Sequence, residues 1–235
     1  MLRFETPLVR ATLVKRYKRF LSDHFLEDGQ KITASCPNTG AMTGAKEPGQ
    51  HSYLSYDPDS KRKYPYVWQL VECDGALTSI NTHLPNKLIH HALERRQIEP
   101  FKEYHNIRRE VPYAQSSRVD FLLSQTGLPD CYLEVKAVHM SRSKGLAEFP
   151  DAVTTRGTKH LNDLSQMREQ GHRAALLFVI QRADCTKFQL AHDIDPGYAK
   201  ALKDAKKAGV AFYAYACTIT PKAIALYKQV PFLHL

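Results

Sequence analysis

The sequence predicts a mixed α+β protein, with a small β-barrel at the N-terminus and a mixed sheet flanked by helices at the C-terminus. Two observations support this fold class: short strand-like runs with Gly/Pro turns fill the first third, and helical and strand patterns then alternate. The 235 residues can form two domains of this kind. We place them at residues 1–84 and 85–235.

Strand-like runs dominate the first 84 residues, and turn segments such as "EDG" and "DPDSKRK" separate them. Five or six short strands joined in this way are typical of a small barrel or sandwich. A five-stranded OB-like barrel fits the length, and an SH3-like barrel would fit almost as well. The predicted strands are residues 8–16, 19–26, 31–36, 51–57, 66–73 and 76–83.

The pattern changes at "LPNKLIHHALERRQ", where Pro85 and Asn86 are suitable helix starters and apolar residues follow at helical spacing. The predicted order from there is α-β-β-β-α-β-α-β. The second helix lies in "DAVTTRGTKHLNDLSQMREQG", where Asp151 is the expected cap and Gly171 the expected end. "RAALLFVIQR" reads as a strand covered on both faces.

Composition narrows the possible functions. Lys and Arg number 33 against 24 Asp and Glu, a net charge of +9, which makes the chain a candidate polyanion binder. The five cysteines are widely spaced and contain no C-x-x-C pair, which argues against a disulfide framework or a zinc site. No apolar run is long enough to span a bilayer and no secretion signal is evident, so we expect a cytoplasmic protein without membrane contact.

Three charged residues interrupt the apolar strands "VDFLL" and "CYLEVKAV". Glu134 and Lys136 share one strand face, and Asp120 comes beside Glu134 if the two strands pair. Two adjacent carboxylates need a cation between them, and Mg²⁺ or Mn²⁺ is suited to the position, with the Val135 carbonyl as a further ligand. Lys136 would then orient a water and stabilise charge on a phosphate.

Asp120, Glu134 and Lys136, in this order of elements, resemble the PD-(D/E)xK nuclease superfamily, although Val119 stands where that motif has proline. The resemblance implies a restriction-endonuclease-like C-terminal domain with Asp120, Glu134 and Lys136 as catalytic residues. It also implies a further acidic residue on or after the first helix, for which Glu94 and Glu110 are both candidates.

A closer resemblance covers nearly the whole chain. The blocks "RATLVKRYKRFL", "CPNTGAMTG", "KRKYPYVWQL", "SRVDFLL", "CYLEVKAV" and "FPDAVTTRGTKHLNDL" are similar to the sugar fermentation stimulation protein A family. This resemblance implies an N-terminal OB-like domain, a nuclease-like C-terminal domain and nucleic-acid binding.

Basic residues near aromatics or near the proposed metal are the expected contacts to nucleic acid. We expect Trp68 and Phe20 to lie in the barrel core instead. The predicted nucleic-acid-binding residues are Arg16, Arg19, Lys63, Arg118, Arg156, Lys159 and His160.

The sequence therefore predicts a cytoplasmic nuclease that depends on Mg²⁺ or Mn²⁺ and acts on DNA or RNA, with a homodimer as one expected assembly. The alternative is a DNA-binding regulator of sugar metabolism that has the nuclease fold without catalysis.

Overall fold

The computed structural model describes residues 1–115 and 117–233. In this part of the chain, a 3₁₀ turn at Glu99–Phe101 accompanies three helices: α1 (Leu84–Glu94), α2 (Thr155–Glu169) and α3 (Pro196–Lys207). The strands are β1 (Leu2–Arg3), β2 (Val9–Tyr17), β3 (Leu21–Leu26), β4 (Lys31–Ser35), β5 (His51–Tyr56), β6 (Tyr66–Cys73), β7 (Ala76–Ser79), β8 (Asn106–Tyr113), β9 (Ser117–Ser124), β10 (Cys131–Val138), β11 (Met140–Ser143), β12 (Leu146–Phe149), β13 (Arg173–Ile180), β14 (Lys187–Leu190), β15 (Ala211–Ile219) and β16 (Ala223–Gln229).

The N-terminal strands form the predicted barrel. Their order is β4-β3-β2-β5-β6-β7, and β4 also pairs with β6, which closes five strands on themselves. The closing contact is parallel and joins Ala34 to Tyr66 and Ser35 to Val67. Closure leaves no free edge among these five strands, and β7 extends the sheet beyond the barrel.

The prediction for the barrel core is half right. Trp68 is fully buried and donates from its indole nitrogen to the Leu70 carbonyl at 2.9 Å. The expectation for Phe20 is wrong, because its side chain is 55% exposed. Since β2 ends at Tyr17 and β3 begins at Leu21, Phe20 lies in the connecting turn and on neither face of the sheet.

The C-terminal domain is a seven-stranded mixed sheet in the order β1-β16-β15-β13-β10-β9-β8. Its three central strands, β10, β13 and β15, run parallel. Helices α2 and α3 pack on one face, and α1 packs on the other. Leu176 and Phe178 of β13 face the α2 side, whereas Leu177 and Val179 face α1, so this strand is covered on both faces as predicted.

Several short elements are absent from the predicted order. A small sheet, β11-β12-β14, lies beside the main one, and β16 follows the strand expected to be last. The first residues of the chain lie outside the barrel domain expected for residues 1–84, because β1 pairs with β16 at the edge of the C-terminal sheet. Strands β1, β11, β12 and β14 have two to four residues, too few to establish an alternating pattern, whereas β16 has seven residues and was missed.

The expectation that Asp151 caps α2 is wrong. Thr154 is the cap, and its hydroxyl accepts from the Gly157 amide at 3.0 Å. Asp151 instead accepts from the Met42 amide at 3.1 Å and lies 3.3 Å from the His139 ring. The "CPNTGAMTG" loop is thereby tied to the C-terminal domain.

Backbone hydrogen bonds also join the barrel to the second domain. The Ser79 amide donates to the Gln181 carbonyl at 2.9 Å, and the Ala183 amide donates to the Leu77 carbonyl at 3.1 Å. Because these bonds involve β7 directly, the two domains are connected by more than the covalent linker.

No helix in residues 1–115 or 117–233 has the length and apolarity needed to cross a membrane.

A buried histidine makes the barrel sensitive to acid. His24 is fully enclosed between the hydroxyls of Ser22 and Ser52, and burial lowers its pKa to about 4. As the pH falls from 6.5 to 4, His24 binds a proton in the unfolded chain but not in the folded chain, so the free energy of unfolding falls with the pH. We expect this residue to account for about 3 kcal/mol of that loss.

Urea unfolding of the wild type and His24→Gln across this pH range measures the effect. The free energy of unfolding should depend less steeply on pH in the variant. Identical pH dependence in the two proteins would contradict the assignment.

Candidate metal and nucleic-acid site

The proposed catalytic residues lie where two paired strands separate. β9 and β10 pair from Leu123 with Cys131 to Phe121 with Leu133, and the ladder stops there. Beyond this point, the Asp120 carboxylate accepts from the Val135 amide at 2.7 Å. A side chain thus satisfies a backbone donor that a neighbouring strand would otherwise satisfy. The opening beside β10 exists because the Asp120 side chain takes the place of a paired strand at this position.

Helix α1 supplies a second contact to the same carboxylate. Asn86 donates from its amide nitrogen to the other Asp120 oxygen at 2.6 Å. The sequence indicated Asn86 only as a helix starter, and nothing in its spacing pointed to the site. Its contribution is a tertiary one, because α1 covers the β9–β10 face of the sheet.

Glu134 is nearly inaccessible to solvent, and only one of its oxygens has a partner. Oε1 accepts from Lys136 Nζ at 2.7 Å and is in contact with Nδ1 of His160. Oε2 is buried and has no hydrogen-bond partner among residues 1–115 and 117–233. Burial of an unsatisfied carboxylate oxygen is costly, so this atom is suited to a ligand that brings positive charge.

The two carboxylates face a shared cavity of about 510 Å³. Glu110 also lies on its wall, whereas Glu94 contacts His90 and His91 on α1. The structure therefore places Glu110, of the two candidates for a further acidic residue, near the site. The residues that line the cavity are Glu110, Ser117, Arg118, Asp120, Glu134, Arg156, Lys159 and His160.

Burial and the neighbouring charges shift the pKa values of the two carboxylates in opposite directions. Burial raises the pKa of Asp120 to about 6, and the neighbouring Glu134 charge adds to the rise. Burial also acts to raise the pKa of Glu134, but His160 and Lys136 outweigh it and lower that pKa overall. Glu134 is therefore ionised throughout the neutral range, and once Asp120 loses its proton near pH 6 the two carboxylates repel each other, which a cation would relieve.

The donor set fits a hard divalent ion such as Mg²⁺. Asp120 and Glu134 provide carboxylate oxygens. The amide and carbonyl of a strand residue point to the same edge, so the Val135 carbonyl faces the opening as its amide does. Across the described ranges, no three His, Cys, Asp or Glu side chains form a metal cluster. Mg²⁺ is commonly bound through one or two carboxylates and retains several waters.

Cationic side chains lie around the cavity. Arg118 extends from β9 and donates to the Glu110 carbonyl at 3.1 Å. From α2, Lys159 pairs with Asp163 at 2.7 Å. Lys159 therefore lies at the cavity wall, and the Asp163 carboxylate holds its ammonium group in place.

Arg156 lies one helical turn before His160 on α2, and its Nε lies 3.4 Å from Nε2 of His160. Arg156, Lys159 and His160 of this helix all line the cavity. His160 was predicted as a nucleic-acid contact, but in the structure it also touches Glu134 directly.

The three basic residues predicted in the barrel lie in different settings. Arg16 Nη2 donates to the carbonyls of Arg19, Asn38 and Gly40, so it supports a loop. Arg19 is exposed and donates to the Thr39 carbonyl at 2.9 Å. Lys63 is exposed, with its ammonium 5.5 Å from the ring centroid of Tyr64.

Comparisons with known proteins agree with both domains. The "SfsA N-terminal OB domain" matches residues 14–80, and the "Sugar fermentation stimulation protein RE domain" matches residues 83–223. These matches show the OB-like barrel and the restriction-endonuclease-like domain that the sequence predicted.

Full-length relatives and one solved structure extend this finding. The chain is 50% identical over 231 residues to a sugar fermentation stimulation protein homologue from Ruegeria sp. (strain TM1040), covering 98% of this chain and 100% of the relative. It is also 50% identical over 232 residues to the homologue from Dinoroseobacter shibae, covering 98% and 95%. The Pyrococcus furiosus SfsA structure in complex with Ca²⁺ superposes with a TM-score of 0.88 at 24% identity, covering 98% and 97% of the two chains. The chain therefore belongs to the sugar fermentation stimulation protein family.

Proposed function

We propose that this protein is a nuclease that requires Mg²⁺ or Mn²⁺ and hydrolyses phosphodiester bonds in DNA or RNA. The observation that carries the proposal is the shared cavity of Asp120 and Glu134, with a buried, unpartnered oxygen on Glu134 and a cationic wall. That combination suits a divalent ion together with a phosphate backbone. Cytoplasmic location and a homodimer are part of the same proposal.

Each residue has a distinct role in the proposed reaction. Asp120, Glu134 and the Val135 carbonyl would hold the ion, which when bound would polarise the phosphate and acidify a water. Lys136 would orient the attacking water and stabilise charge that develops on the phosphate. Arg118, Arg156 and Lys159 would hold the flanking phosphates, and His160 would keep Glu134 in place. The description of the P. furiosus protein in complex with Ca²⁺ supports a divalent-ion site.

A second candidate is a DNA-binding regulator that does not cleave. The favouring observation is that Glu134 Oε1 already has Lys136 and His160 as partners, and both Asp120 oxygens have donors. A site of this kind can be stable without an ion. Binding would then be independent of metal, and Glu134→Ala would leave regulation intact.

Cleavage assays separate the two candidates. With Mg²⁺ or Mn²⁺ we expect cleavage of at least one of single-stranded or duplex DNA and RNA, and none in EDTA. Asp120→Ala and Lys136→Ala should each reduce the rate by about 10²-fold or more, because the first loses a ligand of the ion and the second loses a positive charge at the reacting phosphate. Lys200→Ala, on the exposed part of α3, is the matched control and should cleave normally.

Two results would oppose the nuclease. Cleavage that persists unchanged in Asp120→Ala and Lys136→Ala would indicate a contaminant. Metal-independent binding without any cleavage would favour the regulator.

The raised pKa of Asp120 gives a test that needs no substrate. Between pH 3.8 and 6, the folded metal-free protein keeps a proton that the unfolded chain has lost. Stability therefore falls as the pH rises through this window, by about 3 kcal/mol in total. Asp120→Asn removes this pH dependence and leaves the donors of Asn86 and Val135 one acceptor oxygen instead of two, so the quantity to compare is the change of stability with pH and not the stability at one pH.

Thermal unfolding with and without Mg²⁺ or Mn²⁺ measures both effects. The ion should raise the Tm of the wild type and leave that of Asp120→Asn almost unchanged. An equal metal-dependent rise in both proteins would place the ion elsewhere.

Salt dependence tests the cationic wall. Each lost phosphate contact should lower the slope of log K against log salt by about 0.9 on duplex DNA. We expect this change for Arg118→Ala and for Lys159→Ala, measured by fluorescence anisotropy in EDTA. Lys200→Ala should keep the wild-type slope, and the same slope in all four proteins would show that the wall does not touch phosphate.

A further inference from the structure

The turn between β2 and β3 presents an aromatic side chain to solvent in an unusual way. Lys18 and Arg19 both have positive φ, 49° and 64°, and Phe20 follows them with its side chain 55% exposed. Glycine or asparagine normally occupies such left-handed turn positions, because a Cβ is strained there. This chain instead has two long cations followed by a phenylalanine that no core contact requires.

Hydrogen bonds hold the backbone of the β2–β3 turn in place. Arg16 donates to the Arg19 carbonyl at 2.7 Å, and Arg19 donates to the Thr39 carbonyl at 2.9 Å. The Cys36 amide donates to the Phe20 carbonyl at 2.8 Å. Since the backbone is held on both sides of Phe20, the ring needs to order only its own two torsions on binding, which lowers the entropic cost of contact.

The charge around the ring is positive. Lys18 and Arg19 are exposed beside it, and the nearby Lys15 is exposed with its ammonium 5.3 Å from the ring centroid of Tyr17. An exposed aromatic ring among cations matches a nucleotide better than an apolar protein surface, because the ring can stack on a base while the cations contact its phosphates.

The turn is connected to the candidate site through hydrogen-bonded segments. The Thr39 loop that Arg19 contacts continues to Met42, whose amide donates to Asp151. Asp151 lies three residues before Thr154, the cap of α2, and this helix carries the cations of the cavity wall. The turn and the cavity wall therefore belong to one hydrogen-bonded framework.

We propose that Phe20 stacks on an unpaired base, and that the protein consequently prefers nucleic acids with single-stranded segments. The proposal rests on the nucleic-acid binding of the proposed function and adds to it the class of substrate. Bases within a blunt duplex are already stacked on both faces, so they offer no face to the ring without local opening.

A tryptophan at the turn reports stacking directly. Trp68 is the only native tryptophan and is fully buried, so the fluorescence of Phe20→Trp separates a solvent-exposed indole from a constant background. In EDTA, a single-stranded oligonucleotide should quench this indole strongly, and a blunt duplex should quench it little. Heparin, a polyanion without bases, should bind without quenching.

Matched variants test the energetic contribution. Phe20→Ala should weaken single-strand binding by about 10-fold or more, since one base stack is lost. Phe25→Ala removes another exposed phenylalanine of the barrel, 45% exposed on β3, and should bind as the wild type does. Phe25→Trp should show no base-dependent quenching.

The outcomes separate this inference from the nuclease proposal. Unchanged affinity in Phe20→Ala, or equal quenching by heparin, would overturn the stacking role while leaving the nuclease proposal intact. Quenching that persists in a protein without nuclease activity would support stacking and oppose catalysis. Absence of binding to every oligonucleotide would overturn both.

Discussion

The hydrogen bond from the Val135 amide to the Asp120 carboxylate is the interaction on which the site depends. Two strands that paired fully would bring no cavity to this position, because their backbone groups would satisfy each other. By taking the place of the strand partner, Asp120 lets β9 leave β10 without exposing an unsatisfied donor. The same bond fixes the carboxylate at the opening, and Asn86 on α1 holds its second oxygen there. The opening and its acidic wall therefore have a single structural cause, which links the fold directly to the proposed chemistry.

Electrostatics explains why this arrangement is unlike an ordinary buried ion pair. A structural pair would match each carboxylate with a cation, but here His160 and Lys136 both serve Glu134, while Asp120 has only neutral donors. The result is a raised pKa at Asp120 and an unpartnered oxygen on Glu134. Folding energy from the two apolar faces of the sheet must sustain this imbalance. Sites that bind a cation commonly carry such a deficit of positive charge, because the ligand supplies the remainder.

The sequence predicted the fold and much of the cavity where a periodic pattern existed. Alternation along β10 put Glu134 and Lys136 on one face, and helical spacing on α2 brought Lys159 and His160 to the same cavity. Features without a period were missed. Asn86 reaches the site only through the packing of α1, and Asp151 binds a loop more than a hundred residues away instead of its own helix. Phe20 looked like a strand residue because nothing in the sequence indicates left-handed backbone at Lys18 and Arg19. Spacing alone also left Glu94 and Glu110 equivalent, and the fold separates them, because Glu110 lines the cavity whereas Glu94 contacts His90 and His91 on α1.

The contacts between the barrel and the C-terminal domain give these separate features a common geometry. Domains linked only by a flexible segment would sample many orientations, and a strand bound to one would meet the other at a lower effective concentration. Here β7 bonds to the backbone near Arg182, the loop at Met42 bonds to Asp151, and β1 adds to the C-terminal sheet from the opposite end of the chain. Three attachments at different places restrict rotation of one domain against the other. Basic groups on the barrel and at the cavity therefore keep a constant separation. A polyanion that contacts both surfaces loses its translational and rotational freedom only once.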